Sequence, residues 1–213
     1  MLPLPWGASP AALQTMILSQ LKFATTGHHA RVEAAFPSLA ELATPLGYAA
    51  ALRALHGFHA AWEPAIWRAP GMEAADLGEH LRKLPLLERD LRALGIAPCP
   101  VPAPDPGALD LAAALGALYV LEGASLGGRV IYRHVAGPLG ISPEHGGAYH
   151  HGYGDRTGPE WQAFGRAVEA LVPHTAAAED VVAGGVACFA ALEAWLAVPG
   201  VLEPHRTLAL QSA

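Results

Sequence analysis

The segment Leu115-Gly116-Ala117-Leu118-Tyr119-Val120-Leu121-Glu122-Gly123-Ala124-Ser125-Leu126-Gly127-Gly128-Arg129-Val130-Ile131 decides how this chain is read. Its helix formers sit at helical spacing, and it shows no strict alternation of apolar and polar residues. Four glycines interrupt it, and each costs about 1 kcal/mol relative to alanine in a helix interior. Two arrangements offset that cost. Small residues let a second helix pack closely, and a bare backbone lets a flat ligand approach. For Gly123, Gly127 and Gly128 taken together, both arrangements stay open.

The same helical texture extends in both directions. Ser9-Pro10 reads as an N-cap with proline at the first helical position, opening a helix that runs to about Ala35. A second stretch covers Ser38 to His59 with a break at Pro45-Leu46-Gly47, and a third runs from about Ala60 to Arg68. A fourth spans Met72 to Leu94, broken or kinked at Pro85. The Pro98-to-Pro106 loop follows. The segment quoted above lies in a fifth helix, from about Pro106-Gly107 to Ala136. Gly137 to Gly158 reads as a loop, and helices over Pro159–Leu171 and Ala176–Leu196 complete the pattern. The expected fold is all-α, one helical-bundle domain over residues 1–213 with its core at about 9–197 and a poorly ordered tail over 198–213.

Composition narrows the function classes. The 213 residues are 52% hydrophobic and 15% charged, with a net charge of −6, which excludes a general nucleic-acid binder. The two cysteines, Cys99 and Cys188, form no CxxC pattern, so neither a disulfide framework nor a zinc–cysteine site is expected and a reducing cytoplasm fits. Met1 to Gly7 has no signal-peptide pattern. The longest charge-free apolar runs stop at Glu122 and Glu193, too short for a spanning helix of roughly 20 residues, so no membrane association is expected.

Chemistry concentrates in the first helix, at Leu21-Lys22-Phe23-Ala24-Thr25-Thr26-Gly27-His28-His29-Ala30-Arg31-Val32-Glu33. Lys22, Thr26, His29 and Glu33 share one helical stripe. An imidazole there can ligate iron through one ring nitrogen, while a carboxylate one turn on orients the other. Spacing alone does not single out His29. An ordinary solvated i,i+4 pair gives the same pattern, which recurs at His59 and Glu63. His28, about 100° away around the helix, competes for the ligand role. His56 and His59 are expected to be partly exposed. His145, His150 and His151 fall in the expected loop.

Together these segments resemble the haem oxygenase family, in particular the bacterial branch found beside bacteriophytochromes. Leu21, Lys22, Ala24, Thr25, His29 and Glu33 are similar to the family's proximal helix, and Glu122 to Gly128 to its distal helix. Leu87-Glu88-Arg89-Asp90-Leu91 with Leu94-Gly95, and His151-Gly152-Tyr153-Gly154-Asp155 with Thr157, Gly158, Trp161 and Phe164, agree with the bacterial branch. The resemblance implies haem as both cofactor and substrate, with His29 as proximal iron ligand. It implies Gly123, Gly127 and Gly128 as the catalytic distal wall. Lys22, Thr25, Glu33, Ser125 and Arg166 join the haem-binding set, with Lys22 toward the propionates. Arg166, and Arg129 or Arg133, are weaker candidates for that role, and Arg129 reads better as an ordinary surface charge.

The implied products are biliverdin, carbon monoxide and iron. Electrons would come from an external donor such as a ferredoxin or a reductase, because no GxGxxG dinucleotide motif follows a strand. The branch implies a bacteriophytochrome as biliverdin acceptor. One departure stands out: Ala124 occupies the position where many members carry an aspartate that organises water near the bound oxygen. It keeps open a haem carrier or sensor that does not degrade haem. A non-haem di-iron oxidase would need Glu-x-x-His pairs, which are absent, and a thiaminase-type relative an activated cysteine.

Overall fold

A computed structural model describes residues 16–75, 77–172 and 175–203. Ser9-Pro10, the Met1–Gly7 stretch and residues 204–213 lie outside the described residues. The elements are α1 (Met16–Ala35), α2 (Leu39–Leu42), α3 (Pro45–Arg68), a 3₁₀ turn (Glu79–Leu81), α4 (Leu84–Ala93), α5 (Leu111–Leu139), α6 (Ala148–His151), a second 3₁₀ turn (Gly154–Arg156), α7 (Thr157–Leu171) and α8 (Thr175–Leu196). The architecture is an all-α bundle, as the sequence predicts.

Local chemistry sets most boundaries. Ser38 and Glu41 form a reciprocal capping box on α2, with the Glu41 carboxylate accepting from the Ser38 N–H at 2.8 Å. Thr44 caps α3 by accepting from the Gly47 N–H at 3.1 Å, with Pro45 at the first helical position. Asp110 caps α5 by accepting from the Ala113 N–H at 2.8 Å. Gly140 ends α5 in the left-handed conformation at φ 63°.

Several expected boundaries move. The stretch divided at His59 and Ala60 is one helix, α3, with Pro64 inside it. Phe58, Trp62, Ala65 and Ile66 bury one continuous face across the proline, and that burial outweighs one lost backbone hydrogen bond. Pro85 does not break a helix. It lies in the first turn of α4, where its missing N–H has no partner to lose. The fifth helix begins at Leu111 and runs on to Leu139, past Pro138. The expected loop after Gly137 carries α6 and a 3₁₀ turn, and Tyr149 and His150 are buried within it. Past α8, Val201 is fully buried and Val198 and Leu202 pack against the core.

The bundle is organised around α5 and α8. The two cross so closely that a Cβ on Gly116 would meet the Val181 carbonyl oxygen at 2.1 Å and the Gly185 nitrogen at 2.5 Å. Gly184 makes the reciprocal approach to the Ala113 backbone, at 2.6 Å. Helix α1 packs along α8, with Leu21 seated over Gly185. The Trp195 indole donates to the Ala54 carbonyl at 2.9 Å and ties α8 to α3. By length and composition α5 is the one described helix able to cross a bilayer, but 61% of its most apolar window is buried against its neighbours.

Gly116 is therefore a packing glycine. Gly116→Ala overpacks backbone against backbone, and a loss of about 3 kcal/mol is expected in urea unfolding. Gly137→Ala, where a Cβ meets nothing within 4 Å, is the control and should unfold at or above the wild-type midpoint.

Candidate functional site

Helices α1 and α5 both pack on α8, and a cavity of about 1150 Å³ opens between them, closed further by α7 and the C-terminal end of α8. Lys22, Thr25, Thr26, His29 and Glu33 line it from α1, and Gly123, Ala124, Gly127 and Gly128 from α5. Gln162 and Arg166 line it from α7, and Phe189 and Leu192 from α8. Its volume lies just above the usual range for small-molecule and cofactor sites.

The two adjacent histidines of α1 separate clearly. His28 turns toward α8, where its Nδ1 lies 2.5 Å from Glu193 and Arg31 bonds the same carboxylate at 2.8 Å. The Arg31 hydrogen bond, followed by the His28 contacts, holds the Glu193 carboxyl below its usual range. His29 lies on the cavity instead. Its Nδ1 is 3.5 Å from the Glu33 carboxylate and its ring meets Phe189 edge-on, with 6.0 Å between centroids. The His29 side chain is 59% exposed, and its Nε2 has no hydrogen-bond partner among the described residues. Thr25 is buried at the cavity floor, donating to the Leu21 carbonyl at 2.7 Å. Lys22 and Arg166 are exposed at the rim and have no ion-pair partner among the described residues.

The glycines of α5 divide by position. A Cβ on Gly127 would meet nothing within 4 Å, so that face is open to the cavity. Gly123 lies beneath the Trp161 ring, 3.6 Å from where its Cβ would be, and Gly128 abuts the His150 backbone at 3.1 Å. Ser125 is not brought to the cavity. It stands about 200° around the helix from Gly123 and Gly127, is buried, and donates to the Glu122 carbonyl. Arg129 pairs with Asp155 at 3.0 Å and is the surface charge the sequence suggested. Arg133 is exposed and does not line the cavity.

A polar cluster that no sequence spacing signals lies behind α5. Glu122 is fully buried, with the Lys83 ammonium at 2.9 Å and the Tyr153 hydroxyl donating to it at 3.1 Å. Burial pushes the Lys83 ammonium down, against the pull of Glu122. Burial and then Glu122 push the Tyr153 phenol far up. His59 and Glu63, expected on a partly exposed face, are both buried and pair at 2.5 Å. The i,i+4 spacing was visible, but the burial that gives it meaning depends on the loop around Lys83 and on α6. His56 is half-buried. Among the described residues, no group of three or more His, Cys, Asp or Glu side chains is placed to hold a metal ion.

His150, at the cavity wall, is 1% exposed, and burial pushes its imidazole down to about 4. From about pH 6.5 down to that value the unfolded chain binds a proton that the folded chain does not. Stability is therefore full above this window, falls as pH drops through it and levels off below it. The expected loss is about 3 kcal/mol, seen as a lower urea midpoint at acid pH. His150→Gln should flatten that part of the profile.

A scan against models of known protein families finds no match. A heme oxygenase of Xanthomonas campestris pv. campestris (strain 8004) is 36% identical over 120 residues, covering 56% of this chain and 70% of that protein. Among solved structures, the NO- and CO-bound heme oxygenase from Neisseria meningitidis superposes with a TM-score of 0.75 at 26% identity, over 84% of this chain and 89% of that one. The likeness to the Xanthomonas protein over most of its length, with a matching bundle in the Neisseria structure, shows that this chain belongs to the haem oxygenase family.

Proposed function

We propose that the chain binds haem in this cavity through His29 and opens the porphyrin oxidatively, giving biliverdin, carbon monoxide and iron. The observation that carries this reading is a single cavity with the free Nε2 of His29 on one helix and the glycines of α5 on the other. The residues fit haem. Of the two cavity-lining imidazoles His150 is buried against the Tyr48 hydroxyl and His29 is exposed, and among the described residues no cluster of three or more metal-binding side chains is present, which suits an iron that arrives with its own equatorial ring nitrogens.

When bound, haem supplies the iron and ring chemistry and is itself consumed. The protein's part is position and electrostatics. Glu33, its carboxylate 3.5 Å from Nδ1 of His29, favours the tautomer that carries the proton on that nitrogen and so leaves Nε2 free to ligate. Gly127, bare on its cavity side, and Gly123 and Gly128 beside it let the distal backbone approach the ligand. Lys22 and Arg166 offer positive charge to carboxylates at the rim, working against the net charge of −6. Thr25 shapes the floor. Electrons come from an external donor, a ferredoxin or a reductase. The sequence motifs support a bacteriophytochrome as acceptor of the biliverdin, and a cytoplasmic setting.

A second reading is a haem carrier or sensor. Ala124 favours it, because this cavity-lining residue has no side-chain group with which to order water. Adding hemin to the apoprotein, then reductant and air, separates the two. A histidine-type Soret band that decays to a biliverdin spectrum is expected, and His29→Ala should lose the band's ligation signature. A stable haem complex would favour the carrier, and no haem binding at all would remove the proposal.

A further inference from the structure

The half of α1 that bears His29 has little apolar anchorage. Ile17, Leu21 and Thr25 are buried in the first half of the helix. From Thr26 to Ala35 no residue is buried, and His28 and Val32 alone are half-buried. His29 itself is loosely held by its own helix. Its side chain is 59% exposed and that of Glu33 70%, so their 3.5 Å contact is a surface pair of small energetic worth. The firm surface against the His29 ring is Phe189 of α8, 6% exposed, met edge-on at 6.0 Å with 67° between the planes.

His28 uses the same phenyl ring. It stacks on Phe189 with 6.4 Å between centroids and 23° between the planes. Its Nδ1 lies 2.5 Å from Oε1 of Glu193, one helical turn on from Phe189. Nε of Arg31 donates to Oε2 of the same carboxylate at 2.8 Å. Both oxygens of one α8 carboxylate are therefore taken by α1 side chains on either side of His29 in sequence. The His28 and Glu193 side chains are 21% and 22% exposed, so water screens this contact less than the His29–Glu33 pair. The Arg31 hydrogen bond holds the Glu193 carboxyl below its usual range, which keeps it charged at neutral pH.

We propose that Glu193 is a positioning residue for the iron ligand: by clamping His28 and Arg31 it holds the second half of α1 on α8 and seats His29 against Phe189. The proposal rests on the haem reading and deepens it. Leu21 over Gly185 fixes α1 at one point, and the clamp fixes it again about two turns on, beside His29. With the first point alone, the second half of the helix opens or rolls, and His29 leaves its seat part of the time. The affinity of a ligand that needs His29 then falls by the fraction of molecules in which the seat is lost. None of His28, Arg31 and Glu193 lines the cavity, so their effect on a ligand there passes through His29 and Phe189.

The test uses the full chain, with and without hemin. In the apoprotein, Glu193→Ala should speed amide hydrogen exchange by about tenfold over residues 27–35, while residues 17–25 exchange as in wild type. Hemin affinity should fall by about tenfold with the Soret maximum unchanged. The iron–histidine stretching band of the reduced complex, read by resonance Raman, should broaden. Arg31→Ala alters an exposed side chain and should move all three readouts in the same direction, and it carries the test if the α8 variant fails to fold. Arg31→Glu combined with Glu193→Arg restores opposite charges and should recover most of the loss, whereas each single reversal should not. Unchanged exchange in both alanine variants would overturn the clamp. Faster exchange with wild-type hemin affinity and an unchanged band would overturn its positioning role. Either result leaves the haem reading intact. A wild-type protein that binds no hemin would overturn that reading and the positioning role together, with the apoprotein exchange still deciding whether the clamp exists.

Discussion

The close crossing of α5 and α8 is the constraint on which the rest of the molecule depends. Backbone meets backbone at Gly116, Gly184 and Gly185, so no side chain separates the two axes there. Leu21 of α1 then fills the groove over Gly185, and Leu18 closes on Gly165 of α7. Each contact fixes a helix against α8 or α7 rather than against α5. The consequence is a gap: α1 and α5 share α8 as a neighbour but stand apart from each other, and the cavity is the space between them. A larger residue at the crossing would move both walls at once.

The polar groups follow a different logic. Lys83, Glu122, Glu63, His59 and Asp90 are buried in a protein that is only 15% charged. Isolated, each would cost several kcal/mol to desolvate. None is isolated, because Lys83 pairs with Glu122 and Glu63 holds His59 and two backbone donors. Asp90 takes the first N–H groups of α6. These carboxylates bind the loop segments between Glu79 and Leu84 and between Gly146 and Thr157 to the helical frame. Short irregular segments carry little apolar surface of their own, and charge-assisted hydrogen bonds replace it.

Local periodicity and capping make part of this fold legible in the sequence. The helical class and the stripe of Lys22, His29 and Glu33 follow from helical spacing and appear as read, whereas the break expected at Pro45-Leu46-Gly47 falls just before it, at Ala43-Thr44, because Pro45 opens α3. Whether His28 or His29 turns to the cavity was not decidable from α1 alone. It depends on Glu193 of α8, 165 residues away, which draws His28 aside. Ser125 was carried along with its glycine-rich neighbours, although helical geometry turns it to the opposite face. The His59–Glu63 pair was seen as a pattern and misread as partly exposed, because its burial comes from residues far along the chain. Pro85 reads as a break by residue type, while its effect depends on its position in the first turn of α4.

The rim of the cavity is chemically lopsided. Lys22 and Arg166 stand on the side formed by α1 and α7, whereas the side formed by α2 and α5 presents Leu39, Leu126 and Val130, which are 40%, 43% and 56% exposed. A flat molecule with one acidic edge therefore meets two unlike lips. Seated with its acids toward the cations, it is paired and its apolar edge is covered. Turned end for end, it buries its acids against leucine and valine and leaves the cations in water. Under the proposed function, such a rim would discriminate between insertion directions before any bond is made, and the edge that lies deepest would be selected at entry.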